Sequence, residues 1–257
     1  MNPGTWRDWL PFPPNLSEHG PGVDQLNVYV HYLMFAMFIG WGIYFVYCLI
    51  RFRQREGHKA AYNLAKGKLG KVSEVAVILA EAILLVALSM PAWAAYKKQF
   101  PSREEALTVR VVGEQFAWNF HYPGRDGVFG KTDPKLMNNT GNSLGIDMSD
   151  PHAKDDIITL NEFHVPLNKP VMMNISSKDV IHSFTINVLR VKQDAIPGMT
   201  IPIHFKAVSG VGTHEITCAQ LCGLGHYRMQ GFIYIDTPEQ YAQWQAQKDS
   251  ELQGASQ

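Results

Sequence analysis

The sequence predicts a two-helix transmembrane hairpin followed by an all-β domain of short strands. Three observations predict it. Two apolar stretches of membrane-spanning length lie in the first hundred residues. The segment between them is strongly basic. From residue 99 onward the pattern changes to short β-branched runs separated by Gly, Pro, Asn and Asp.

The first stretch, residues 32–50, carries no charge over 19 positions and has aromatics at its ends. At about 1.5 Å per residue it extends about 28 Å, the thickness of a hydrocarbon core. The first 30 residues lack a basic segment followed by an apolar run, so a cleaved leader is not expected. The second stretch, residues 75–96, is interrupted by one acid, Glu81, which should face protein rather than lipid. Pro91 lies near its end. The loop 51–73 holds seven bases (Arg51, Arg53, Arg55, Lys59, Lys66, Lys68 and Lys71) against Glu56. Basic loops stay cytoplasmic, which places both the N-terminus and the chain after residue 98 on the outer face. The expected organisation is an outer segment 1–26, a hairpin 27–98, a β-domain 99–238 and a polar tail 239–257.

Within the β-domain, runs such as LTVRVV from Leu107, VMMNI from Val171, SFTINV from Ser183 and GFIYI from Gly231 predict about seven short strands in an antiparallel sandwich or barrel. Residues 123–156 are polar and read as a surface excursion. The tail has helix-forming composition, leaving a short helix or a disordered end open.

Charge narrows the function classes. Lys+Arg and Asp+Glu both number 23, so a nucleic-acid partner is not expected. Residues 99–257 carry 17 acids against 13 bases, a mild attraction for a basic soluble partner. Three cysteines exclude a disulfide-dense scaffold, and no C-x-x-C-H is present for a covalent haem. Cys48 lies in the first span and reads as a packing residue.

The most specific motif is Cys218-Ala-Gln-Leu-Cys222-Gly-Leu-Gly-His226-Tyr-Arg-Met229. Thiolate, imidazole and thioether are the soft donor set that selects copper. Two cysteines are one too many for a single-copper site, but two sulfurs on a tight turn suit a pair of ions. Each ion then needs an imidazole, and His182 opens a predicted strand upstream. A Cys218–Cys222 disulfide and a zinc site remain alternatives on spacing alone.

The chain resembles subunit II of haem–copper cytochrome c oxidases. The likeness is carried by the hairpin, DVIHSF (179–184), VKQDAIPG (191–198), CAQLCGLGHYRM (218–229) and GEQFAWNFHY (113–122). The resemblance implies a cupredoxin-like Greek-key barrel with a dinuclear copper (CuA) centre. Its ligands would be His182, Cys218, Cys222, His226, Met229 and the backbone carbonyl of Gln220. It further implies a cytochrome c donor, soluble, tethered or in a partner complex, and a haem-bearing catalytic subunit I among other oxidase subunits. That partner would reduce dioxygen with proton translocation. The expected location is a bacterial inner membrane, with the barrel periplasmic.

Several positions depart from the family pattern. Gln220 stands where most members have a Glu that helps bind interfacial Mg²⁺, with Asp194 matching a nearby acid. Met199 stands where Arg is usual. Phe116 replaces the Trp that receives electrons, while Trp118 matches a second aromatic. Glu74 matches a glutamate at a proton-path entrance. A quinol oxidase subunit lacking copper is the alternative within the family, and retention of both Cys, both His and Met counts against it. A non-redox membrane-anchored β-domain is the alternative outside it.

Overall fold

The computed structural model describes residues 12–59, 67–98, 100–138 and 141–255. The first eleven residues of the expected outer segment, part of the basic loop including Lys66, and the last two residues of the tail lie outside the described residues. The described residues form two compact units, one within 22–98 and one of 12–21 with those of 100–255.

The first unit is helical. Helix α1 (Gly20–Arg51) begins ahead of the expected position 27 and ends on a basic residue that suits a helix C-terminus. A second helical stretch runs from α2 (Lys68–Ile83) through a π turn at Leu84–Ser89 into α3 (Met90–Lys98). Pro91 has no N–H to donate into the preceding turn, which frees a carbonyl upstream. The wider π turn sits immediately before it, and Ser89 Oγ donates to Leu84 O at 3.0 Å. Both helical stretches are long and apolar enough to cross a membrane. Glu81 is exposed on this chain, so the protein surface expected to shield it is not supplied by the chain itself.

The second unit is a cupredoxin-like β-sandwich of ten strands, against the seven expected. One sheet has the order β3-β2-β1-β5-β8 and the other β4-β10-β9-β6-β7. The strands are β1 (Leu107–Glu114), β2 (Ala117–Tyr122), β3 (Ile157–Leu160), β4 (Glu162–Pro166), β5 (Pro170–Ser177), β6 (His182–Ile186), β7 (Val191–Ala195), β8 (Ile201–Lys206), β9 (Gly212–Cys218) and β10 (Gln230–Asp236). The pairing is not wholly antiparallel: β1 runs parallel to β5, and β10 to β4. The reason lies at Asn161, whose left-handed backbone (φ 59°) passes the chain from β3 in one sheet to β4 in the other. β5 then re-enters the first sheet beside β1 from the same end. Asn161 also locks β2, since its amide donates to Trp118 O at 2.7 Å and its Oδ1 accepts from Trp118 N at 2.8 Å.

Period-two burial follows the sequence pattern, with Val109 and Val111 of β1 and Ile233 and Ile235 of β10 pointing inward. Phe120 and Phe163 stack across the sheets at 4.7 Å. Leu16 pairs its backbone with Val188 and Val208, so the segment 12–21 lies with the β-domain. The polar tail is helix α4 (Pro238–Ala255), ordered because Trp244 stacks on His164 at 4.6 Å and Tyr241 is buried.

Candidate metal centre

The centre forms where β6 and β9 meet. Their antiparallel register sets Phe184 opposite Cys218, which brings His182 at the head of β6 to the cysteine loop. Both ends of the loop are pinned by the backbone. Ala219 N donates to Ser183 O at 2.9 Å, and Cys218 N donates to Met229 O at 3.3 Å. Between them the chain tightens into a turn at residues 226–228. Gly223 has φ +134°, a backbone region that favours glycine. A side chain at Gly225 would place its Cβ 2.4 Å from Phe116 Cδ2, so Phe116 lies directly on the loop.

Soft donors converge there. All three cysteines are free. Cys218 Sγ is 3.9 Å from Cys222 Sγ, and Cys222 Sγ is 3.7 Å from both His226 Nδ1 and Met229 Sδ. The ligating atoms of His182, Cys218 and Cys222 lie within 4.8 Å of one another. Among the described residues this is the one group of three or more His, Cys, Asp or Glu within ligating range. Cys218 and Cys222 would both be within reach of a soft metal ion held here. His182 is wholly buried, and its Nδ1 has no hydrogen-bond partner. A buried nitrogen left so is costly unless something binds it. The donor set therefore fits a soft metal ion such as copper. The Gln220 carbonyl lies 3.2 Å from Cys218 Sγ, while the Gln220 side chain is exposed.

The two thiols differ. Burial opposes ionisation of Cys218, but the His182 imidazole and neighbouring backbone groups outweigh it and bring the thiol down to about 6. Burial and the neighbouring Cys218 push Cys222 up to about 11. Burial lowers the affinity of His182 for a proton, yet Cys218 and Asp179 raise it net.

The remaining sequence-derived residues fall in different places. Trp118 is fully buried and meets His182 edge-on at 5.9 Å, so no docked protein touches it. Phe116 is half-buried over the loop. Asp194 on β7 is exposed and accepts from Ser183 Oγ at 2.7 Å. Glu74 is exposed on α2. Met199 is exposed, as are Leu221, Leu224 and Tyr227 in the loop, and Leu224 is 97% accessible. Two site residues escaped the sequence reading. Asp179 is 2.9 Å from His182 Nε2, and the side chain of Gln115 reaches Cys222 O at 2.6 Å. An Asp three positions before a candidate ligand was a usable signal for the first. Nothing in the sequence pointed to the second.

Comparison with known proteins gives a consistent result. The family model for the cytochrome c oxidase subunit II periplasmic domain matches residues 107–235. The alternative cytochrome c oxidase subunit 2 of Bradyrhizobium diazoefficiens is 30% identical over 226 residues, covering 88% of this chain and 79% of that protein. Cytochrome c oxidase subunit 2 of Cereibacter sphaeroides is 26% identical over 245 residues, covering 91% and 78%. The crystal structure of the periplasmic domain of subunit II of cytochrome oxidase (CoxB) of Bradyrhizobium japonicum is 28% identical. It covers 59% of this chain and 98% of that one, with a TM-score of 0.43.

Proposed function

The chain belongs to the cytochrome c oxidase subunit II family, and from that premise we propose that it is the electron-input subunit of a respiratory oxidase. It takes electrons from a cytochrome c outside a bacterial inner membrane and passes them to the haem–copper catalytic subunit. The single observation that carries this reading is the convergence of two thiols, two imidazoles and a thioether, with His182 Nδ1 buried and unpaired. His182, Cys218, Cys222, His226 and Met229, with the Gln220 carbonyl, would hold the metal pair. When bound, two coppers supply a one-electron carrier.

The chain's own residues favour that task in three ways. The β6–β9 pairing and the backbone pins hold the donors on a rigid scaffold, so little rearrangement accompanies a change of charge. Burial of His182, Cys222 and Met229 shields one side of the centre from water. The acidic balance of residues 99–257 suits a basic donor, an attraction that salt weakens over about 8 Å at physiological ionic strength. Phe116, half-buried on the loop, would line the donor's path, and Trp118 would act through its edge contact with His182. Asp194 and the Gln220 amide would offer an interfacial Mg²⁺ two ligands at most, with the rest coming from the partner. Glu74 would mark a proton-path entrance toward that partner.

The test uses the full chain purified in detergent and loaded with copper. Two coppers per chain, a mixed-valence EPR signal and rapid reduction by cytochrome c are expected. Cys218→Ser should abolish the signal, because an alcohol does not bridge as a thiolate does. One copper per chain, zinc alone, or reduction by quinol without any by cytochrome c overturns the reading.

A further inference from the structure

We propose that Asp179 and Gln115 are positioning residues for the metal centre, forming a bracket that fixes the His182 ring and ties the cysteine loop to the β1–β2 turn. The proposal rests on the dinuclear reading above and names what holds its ligands in place.

His182 has two ring nitrogens in different situations. Nε2 is 2.9 Å from Asp179 Oδ1, and Nδ1 is buried without a partner. A carboxylate only accepts, so Nε2 carries the proton and the Nδ1 lone pair is left for a metal. The other oxygen of Asp179 accepts the Gln115 backbone N–H at 2.7 Å, and Oδ1 also accepts from Val180 N at 2.6 Å. The carboxylate therefore cannot swing away without breaking bonds to two separate segments.

Gln115 carries the linkage onward. Its Nε2 donates to Cys222 O at 2.6 Å, which fastens the second cysteine. The amide reaches that carbonyl because residue 223 has no side chain: a Cβ on Gly223 would lie 2.8 Å from Gln115 Nε2. The result is an unbroken chain from the His182 ring through Asp179 and Gln115 to Cys222. It joins ligands that the sequence separates by 40 positions. Lys178 and Glu114, each adjacent to a bracket residue, pair at 2.9 Å and bind the same two segments together.

Outer partners of metal-bound imidazoles set ring orientation and basicity, and their loss lowers metal affinity about 10–100-fold. Asp179→Asn keeps the shape and removes the charge. In the full-length chain in detergent, competition with a copper chelator should show a loss of affinity in that range. Removal of the anionic partner should also favour the reduced form. A tenfold change in that one-electron equilibrium is 59 mV, read by spectroelectrochemistry. Gln115→Ala should loosen Cys222, broaden the EPR hyperfine pattern and weaken copper binding, with a smaller change in potential. Asp179→Glu should restore part of the potential.

A readout independent of copper separates this proposal from the reading it rests on. Nitrogen NMR of labelled histidine in the metal-free chain, at a pH high enough for the ring to be neutral, should show His182 as the Nε2-protonated tautomer, and as a mixture in Asp179→Asn. A mixture in the unaltered chain overturns the bracket. A single tautomer in a chain that never takes up two coppers overturns the dinuclear reading and leaves the bracket standing. Unchanged affinity, potential and EPR in both variants, with slower reduction by cytochrome c alone, would make Asp179 a docking charge and also overturn the bracket.

Discussion

Two long loops leave the β-domain, and they use their polar atoms in opposite ways. In residues 123–156 the carboxylates fold back on their own backbone. Asp133 accepts from Lys135 N, Asp150 from Lys131 N and His152 N, and Asp155 from the amides of Arg125 and Asp126. Asp156 joins that loop to the sheet, accepting from Gly130 N at 2.8 Å and from buried His121 at 2.6 Å. In residues 218–229 the shaping groups come from elsewhere: Ser183, Gln115 and Phe116 press on the loop, while its donor atoms face one another. A segment that draws its carboxylate partners mainly from its own backbone spends its acceptors on its own shape. A segment shaped from outside can keep its best donor atoms unspent for a ligand.

The largest expected effect tests whether the two loops are independent. Asp156→Ala strips the partner from two buried groups, the His121 ring and the Gly130 N–H, and each buried polar group left unsatisfied costs about 1–3 kcal/mol. The urea midpoint of the metal-free chain should fall accordingly, with the copper spectrum unchanged. A changed spectrum would break the comparison, because the excursion would then be shaping the centre.

A smaller effect is expected at Gly225→Ala. Its new Cβ would collide with the Phe116 ring, and overpacking of this kind costs about 1–3 kcal/mol. Copper affinity should fall while hydrogen exchange in residues 123–156 stays the same. The double variant with Phe116→Leu should recover affinity. Full affinity in the single variant would mean that Phe116 does not shape the loop.

The smallest effect is a pH window in the excursion. The His152 hydrogen bond holds Asp126 below its ordinary 3.8, and the same contact raises His152 above its ordinary 6.5. The Asp126 contribution is complete above 3.8 and is lost as pH falls through its lowered value. The His152 contribution is complete below 6.5 and is lost as pH rises through its raised value. Exchange protection of residues 123–156 should therefore be greatest between these two pH values. The pair is exposed, so the change is slight. Flat protection from pH 3 to 9 would show that the pair does not order the loop.

What the sequence displayed and what it hid divide along the same physical line. Strands β1, β5 and β10 announce themselves because alternate residues face a core, and period two is visible in one dimension. β3 has four residues, and the middle of β7 (Lys192, Gln193, Asp194) is polar, so neither carries enough pattern to be read. The donors Cys218, Cys222, His226 and Met229 were legible because chain-local spacing puts soft ligands on one turn. His182 was legible as the second imidazole the chemistry required. Its meeting with Cys218 depends on strand pairing, which no local window contains. Gln115 acts through an amide reaching 107 positions along the chain, and nothing near it in sequence marks that reach. The tail left both helix and disorder open because its composition is polar. Helix α4 is ordered because Trp244 stacks on His164 and meets Tyr122 edge-on, and because Tyr241 is buried, contacts that lie far away in sequence.

The π turn at Leu84–Ser89 has its own consequence for the second apolar stretch. Each residue advances an α-helix by about 100°, and a π turn accommodates one extra residue within the coil. Side chains before and after it are therefore out of phase by about that angle. Glu81 and Trp93, which a continuous α-helix would display in one fixed angular relation, are re-aimed relative to each other. The stretch behaves as two compass bearings joined end to end, so its two halves can face different neighbours.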